Sequence, residues 1–151
     1  MKIELKNVKH SEFASHETDC FQASVYIDGK KAGTVDNDGQ GGCNRYSPWQ
    51  LADTLDAYAK TLPPDVYEYG GETHTMEQNA DILIGDLLNR HLQAKKNKSL
   101  CRGKTVFRIP GHHYHTGDWH VIKKPFEPNI RMYLIGRYGA GVQFLNDQVG
   151  A

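Results

Sequence analysis

"CFQASVYIDGKKAGTV", residues 20 to 35, decides the fold class. Phe21, Ala23, Val25 and Ile27 alternate with smaller or polar residues, the period of a strand with one face buried. Asp28-Gly29 offers the positive φ angles that a two-residue hairpin turn needs, and Ala32 to Val35 brings the chain back beside itself. On its N-terminal side, "MKIELKNVK" (1 to 9) sets Ile3, Leu5 and Val8 against lysines and predicts one more half-buried strand.

On its C-terminal side the period changes. "SPWQLADTLDAYAKTLPP" (47 to 64) carries Ser47 as an N-cap, Pro48 at the first helical position, a helical apolar spacing from Leu51 to Leu62, and Pro63-Pro64 as a stop. A second helix is expected to begin near Thr73 to Thr75, with Thr75 and Gln78 as a capping box. It would bury Met76, Ala80, Leu83, Ile84, Leu87, Leu88 and Leu92 and end in Lys95, Lys96 and Lys98. "KTVFRIPG" and "DWHVIKKP" read as strands flanking the polar "HHYHTG". A short third helix follows Pro128 and stops at Gly139, with "VQFLND" as a tail packing back. The order β-β-β-α-α-β-β-α indicates an α+β fold: a mainly antiparallel sheet of about five strands with helices on one face.

The totals fit one domain over residues 1–151, with 38% hydrophobic and 10% aromatic residues. No apolar run approaches the ~18 residues that a bilayer span needs, so the chain reads as soluble, without a membrane partner. Three cysteines far apart fit neither a disulfide framework nor a CxxC pair, and suggest a reducing cytoplasm. The zero net charge hides a division. Residues 1–89 hold 7 Lys/Arg against 15 Asp/Glu, a balance of −8, and residues 90–151 hold 11 against 3, a balance of +8. Such opposed charge could dock two halves, support a homodimer, or present a basic face to an acidic partner.

"FASHETDCFQASVYIDGKKAGTVDNDGQGGCN" (13 to 44), with its F-A-S-x-E-T-x-C-F start, Y-x-D-G-K turn and N-D-G-x-G-G loop, resembles a family of short proteins encoded by bacteriophages and other bacterial mobile elements. The likeness covers about residues 11 to 44 and extends loosely to "FRIPG…GDWHVIKKP". It implies a phage-type origin and a bacterial host cytoplasm, and it brings no catalytic residues with it.

Three sets of residues are candidates for chemistry. The first is the glycine loop 36–45. As a calcium loop it puts Asp36 and Asp38 at the third and fifth ligand positions, but Thr34 and Arg45 stand where the first and twelfth carboxylates belong. As an anion or nucleotide cradle it offers Gly39, Gly41, Gly42, Asn44 and Arg45 ahead of a helix, without a Walker or G-x-G-x-x-G pattern, and the alternative is a plain strand-to-helix connection. The second is the histidine hairpin 112–120, where His113, His115 and His120 could hold zinc or serve as acid and base, or simply form a polar loop. The third is the basic run 95–108: Lys95, Lys96, Lys98, Arg102, Lys104 and Arg108, which with Tyr114 and Trp119 could track a nucleic acid, or be solvated. No G-x-S-x-G elbow supports a hydrolytic triad.

No set completes a reaction centre. Together with what the resemblance implies, the reading is a small phage-type accessory protein that binds a host protein or protein complex, without a cofactor and without turnover, inhibiting a bacterial defence assembly such as a CRISPR effector. Tyr46, Trp49, Tyr67, Tyr69, Tyr114 and Trp119 would supply contact area. The alternatives are a nucleotide- or small-molecule-binding protein or small metal- or His-dependent enzyme using the glycine loop and the histidine hairpin, and a nucleic-acid binder using residues 95–108.

Overall fold

The computed structural model describes residues 1–115 and 118–150. The chain forms two compact units, Met1–Arg90 and His91–Ala151. The division of charge seen in the sequence falls at this boundary.

The first unit is built on the antiparallel sheet β1 (Ile3–Ser11), β2 (Cys20–Ile27), β3 (Lys30–Asp38) and β4 (Arg45–Ser47), in that spatial order. Asp28 and Gly29 have φ of 51° and 83°, the left-handed pair that a tight hairpin turn demands. The alternation of β2 holds in part, since Ser24 is buried as well and Ile27 is only half-buried. Phe21, Ala23 and Val25 are buried, and across the register Val35 of β3 joins them. Helix α1 (Gln50–Ala59) buries Leu51, Leu55 and Ala59, and Leu51 reaches Gly33 of β3, where a Cβ would meet its Cδ2 at 3.0 Å. Helix α2 (Ala80–Cys101) begins on two borrowed oxygens: Asp56 of α1 accepts from the Ala80 amide at 2.6 Å, and the Asn79 side chain accepts from the Ile82 amide at 2.9 Å.

Between α1 and α2 lies an element absent from the expected order, the hairpin β5 (Asp65–Tyr69) and β6 (Glu72–Met76). The expected helix start at Thr73–Thr75, with its Thr75–Gln78 capping box, is thus corrected. Those threonines pair with Glu68 and Val66 in a strand, and Met76 is exposed rather than buried. Gly70 and Gly71, with φ of 63° and 79°, turn this hairpin and are its signal in the sequence. Ser47 is also not an N-cap, nor is Pro48 the first helical residue; Ser47 ends β4 opposite Thr34, and the helix begins at Gln50.

The second unit contains the end of α2, a three-stranded antiparallel sheet ordered β8 (His120–Ile122), β7 (Thr105–Arg108) and β9 (Gln143–Phe144), helix α3 (Pro128–Tyr138) and the single turn α4 (Leu145–Gln148). Phe107, Leu134, Val142 and Phe144 form one core, with Cys101, Val106 and Leu145 beside them as another. α3 starts on Pro128 and ends at Gly139, whose φ is 100°, as the sequence predicts. The tail does pack back: Phe144 pairs with Phe107 across β7 and β9. The fold is therefore α+β with antiparallel sheets, but the expected single sheet of about five strands is instead nine strands in three sheets of four, two and three among the described residues. No helix among the described residues is long and apolar enough to cross a membrane.

Candidate functional site

The glycine loop holds another part of its own chain. Asn37, on β3 and buried, is the hub. Its Oδ1 accepts from the Thr18 hydroxyl at 2.8 Å and the Gly39 amide at 2.9 Å, and its Nδ2 donates to the Gly42 carbonyl at 2.9 Å and the Asn44 Oδ1 at 3.0 Å. Two lone pairs and two protons make up the whole capacity of that amide, and all are used. The Gly39 carbonyl accepts from the amides of His16, Glu17 and Thr18 at 3.1, 3.0 and 3.4 Å, and the Gly41 amide donates to the Thr18 hydroxyl at 3.3 Å. The segments 13–18 and 37–42 thus interlock.

Glycine is required here for closeness as well as for φ. Gly39 has φ +82°, and a Cβ on it would stand well inside van der Waals contact with the Ala14 carbonyl oxygen; Gly41 has φ +92° and faces the Glu17 carboxylate. Gly42 has open space around it. This arrangement removes the anion cradle that Gly39, Gly41, Gly42, Asn44 and Arg45 suggested. The amides of residues 39, 40 and 41 are taken by Asn37, Asp38 and Thr18. Arg45 is held by Asp36, its Nε 2.7 Å from Oδ1, and the Glu17 carboxylate sits where an anion would approach. The cleft of about 520 Å³ alongside, lined in part by Lys9, Asp36, Asp38 and Arg45, presents charge of both signs.

The clasp is anchored to α2. The Asp81 carboxylate accepts from the Tyr46 hydroxyl at 2.7 Å and the Asn44 amide at 3.4 Å. Burial, and then the neighbouring carboxylate, push the Tyr46 phenol well above its ordinary range. A raised pKa means that its stabilising contribution is complete below about pH 10, where an unfolded-state tyrosine titrates, and is lost as pH rises through the folded value. We expect Tyr46→Phe to cost about 1–2 kcal/mol near neutrality, by taking a donor from Asp81. That deficit should shrink in urea denaturation series carried above pH 10, where ionisation of residue 46 in the unfolded chain, open to the wild type alone, draws stability from a folded state whose phenol keeps its proton.

Held by this clasp, the loop between β1 and β2 has a defined shape. Ser15 Oγ donates to the Ser11 carbonyl at 2.6 Å and accepts from the Cys20 amide at 2.8 Å, while Ser11 Oγ accepts from the Ala14 amide at 3.2 Å. Phe13, two residues beyond the end of β1, is 94% exposed. Neither Phe13 nor the hub residues Thr18, Asn37 and Asp81 are among the candidates that the sequence suggests.

In the second unit the basic and aromatic residues divide. Lys95, Lys96, Lys98 and Arg102 are exposed, the first three on α2, whereas Arg108 is turned inward over Trp119, its guanidinium carbon 4.1 Å from the ring centroid, with Nε donating to the Asp118 carbonyl at 2.8 Å. The Tyr114 hydroxyl accepts from the Ile109 amide at 2.9 Å and pairs with His120 Nε2 at 2.9 Å, and His120 stacks on Phe107 at 5.4 Å. The rings offered as base-stacking platforms are therefore engaged within the unit, where they fasten the loop after β7; Lys104 instead gives its carbonyl to Asn146. His113, His115 and His120 do not assemble a zinc site: among the described residues no three His, Cys, Asp or Glu side chains converge as metal ligands. Thr116 and Gly117 of the expected "HHYHTG" loop lie outside the described residues. Cys101 is a core residue whose thiol burial pushes up, which suppresses thiolate chemistry there. Compared with protein-family models, curated proteins and solved structures, the chain matches none.

Proposed function

We propose that this protein works by binding another protein, as a phage-type accessory factor that inhibits a bacterial defence complex, such as a CRISPR effector, through direct contact in the host cytoplasm. The observation that carries this reading is the presentation of Phe13. One exposed apolar side chain is ordinary on any surface. Phe13 differs because the backbone beneath it is held by Ser11, Ser15, Asn37 and Gly39, so little freedom remains to be lost on docking. The surroundings are acidic: Glu12, Glu17 and Asp19 flank it, and no Lys or Arg occurs from His10 to Gly29. An apolar pocket rimmed by basic side chains is the complementary surface, with the ring as anchor and the carboxylates steering approach.

The test is a plasmid-interference assay in bacteria expressing a panel of defence effectors, with and without this protein. The wild type should restore transformation against at least one of them. Phe13→Ala should weaken binding to that effector by about 30-fold or more, an anchor's share. Its urea midpoint should not move, since the ring is in water in the free protein. No inhibition across the panel, or full inhibition by Phe13→Ala, refutes the proposal.

A further inference from the structure

The β5–β6 hairpin is a sheet of its own, and none of its ten strand residues is buried. Two-stranded hairpins standing alone are marginal in water. This one carries its own support. Opposite residues share a face and alternate ones repeat it, so Asp65, Tyr67 and Tyr69 stand with Glu72, His74 and Met76 on one side. There the Tyr67 and His74 rings stack, with centroids 5.4 Å apart and planes 23° apart; the Tyr69 ring lies 6.4 Å from His74, and His74 Nε2 meets the Tyr69 carbonyl at 3.2 Å. Three rings form a platform across both strands. Its outer surface is left to water: Tyr69 is 76% and Tyr67 49% exposed, with Met76 beside them also exposed and Val66 exposed on the opposite face.

Charge indicates what covers it. No Lys or Arg occurs between Lys60 and Arg90, while Asp65, Glu68, Glu72 and Glu77 lie in or beside the hairpin. Two copies paired edge to edge or face to face would set these carboxylates against each other, which opposes self-association. The same field, with exposed tyrosine faces at its centre, suits a planar cation that can stack on a ring while it hydrogen-bonds a carboxylate at the rim. Guanidinium does both, whereas ammonium is a more strongly hydrated point charge. We infer that β5–β6 is a docking hairpin for an extended segment of a partner protein that bears arginines at alternate positions, laid over Tyr67, His74 and Tyr69, with Asp65 and Glu72, at opposite ends of this face, each accepting hydrogen bonds from a different guanidinium. This surface is independent of Phe13 and stands or falls separately from the defence-inhibitor reading.

The experiment uses the full chain, labelled with ¹⁵N, and three blocked ten-residue peptides that alternate Val with Arg, with Lys or with Glu. The Arg peptide should shift the amides of residues 65–76 saturably, the Lys peptide should bind at least threefold more weakly, and the Glu peptide should not bind. Tyr67→Ala with Tyr69→Ala should weaken the Arg peptide tenfold or more. Since that pair could also loosen the hairpin, Asp65→Asn with Glu72→Gln, which keeps the rings, should weaken it several-fold with the hairpin's own cross-strand NOEs intact. The inference is overturned if the Arg peptide shifts acidic positions all over the first unit rather than residues 65–76, or if Arg and Lys peptides bind alike. It is also overturned if the hairpin signals change with protein concentration alone, which would make a second copy the occupant.

Discussion

Gly39→Ala will unfold at a urea concentration at least 1 M below the wild type, while Gly42→Ala three residues on will leave the midpoint where it is. The left-handed backbone at Gly39 costs an alanine about 1–2 kcal/mol, before its Cβ collides with the Ala14 carbonyl oxygen. To relieve that approach the two loops must part, and the bonds from His16, Glu17 and Thr18 to the Gly39 carbonyl part with them. The sum is about 3 kcal/mol, a large share of a small protein's stability, and a urea slope of roughly 1–3 kcal/mol per molar turns it into the stated shift. Gly42 has no such φ, and no atom lies within 4 Å of where its Cβ would stand, so its substitution should stay within about 0.5 kcal/mol. The contrast separates a clasp from a ligand cradle. A cradle needs its backbone open at all three glycines and would show its losses in ligand binding; a clasp shows them in stability, at Gly39 first. Equal midpoints for the two variants would refute the clasp.

Asn146→Ala should destabilise the second unit by about 2–4 kcal/mol, more than any surface substitution in it. Asn146 is 1% exposed, donates from Nδ2 to the Lys104 carbonyl at 2.9 Å, and accepts at Oδ1 from the Val106 amide at 2.8 Å. Its amide holds the short turn α4 against β7, across 40 and 42 residues of chain. Val106 is itself fully buried, so water cannot replace the lost acceptor, and the amide keeps its full desolvation cost. Thr105→Val is the comparison. It removes the donor to the Lys124 carbonyl at 3.0 Å, but Lys124 is exposed and its carbonyl can turn to water, so a loss of about 1 kcal/mol is expected. Circular dichroism in urea gives both values, and a reversal of their order would show that the burial argument is wrong.

Local rules and the folded chain part company between α1 and α2. The Thr75–Gln78 spacing fits a capping box and Met76 falls on a helical apolar stripe, so a helix starting near Thr73 satisfies every local rule. The chain makes a strand there because Gly70-Gly71 turns it back onto Val66, Tyr67 and Tyr69, residue types that favour strands. The glycine loop is legible as a loop with special backbone needs, and its three glycines are the right residues to question. What it holds is not legible, since Thr18 lies 19 residues from Asn37 and Asp81 lies 35 from Tyr46.

The sequence by itself determined the α+β class, the Asp28-Gly29 hairpin, the apolar stripe of helix α1, helix α3 with its proline and glycine punctuation, and the division of charge. Each of these rests on side-chain period, on backbone φ or on composition, quantities written within a few neighbouring residues. Only the tertiary structure decided that the glycine loop clasps the Phe13 loop, that Arg108 and Trp119 face one another, and that the hairpin of Tyr67 and Tyr69 stands in solvent. Those outcomes depend on which distant donor meets which acceptor once the core has closed, and no local pattern encodes that pairing.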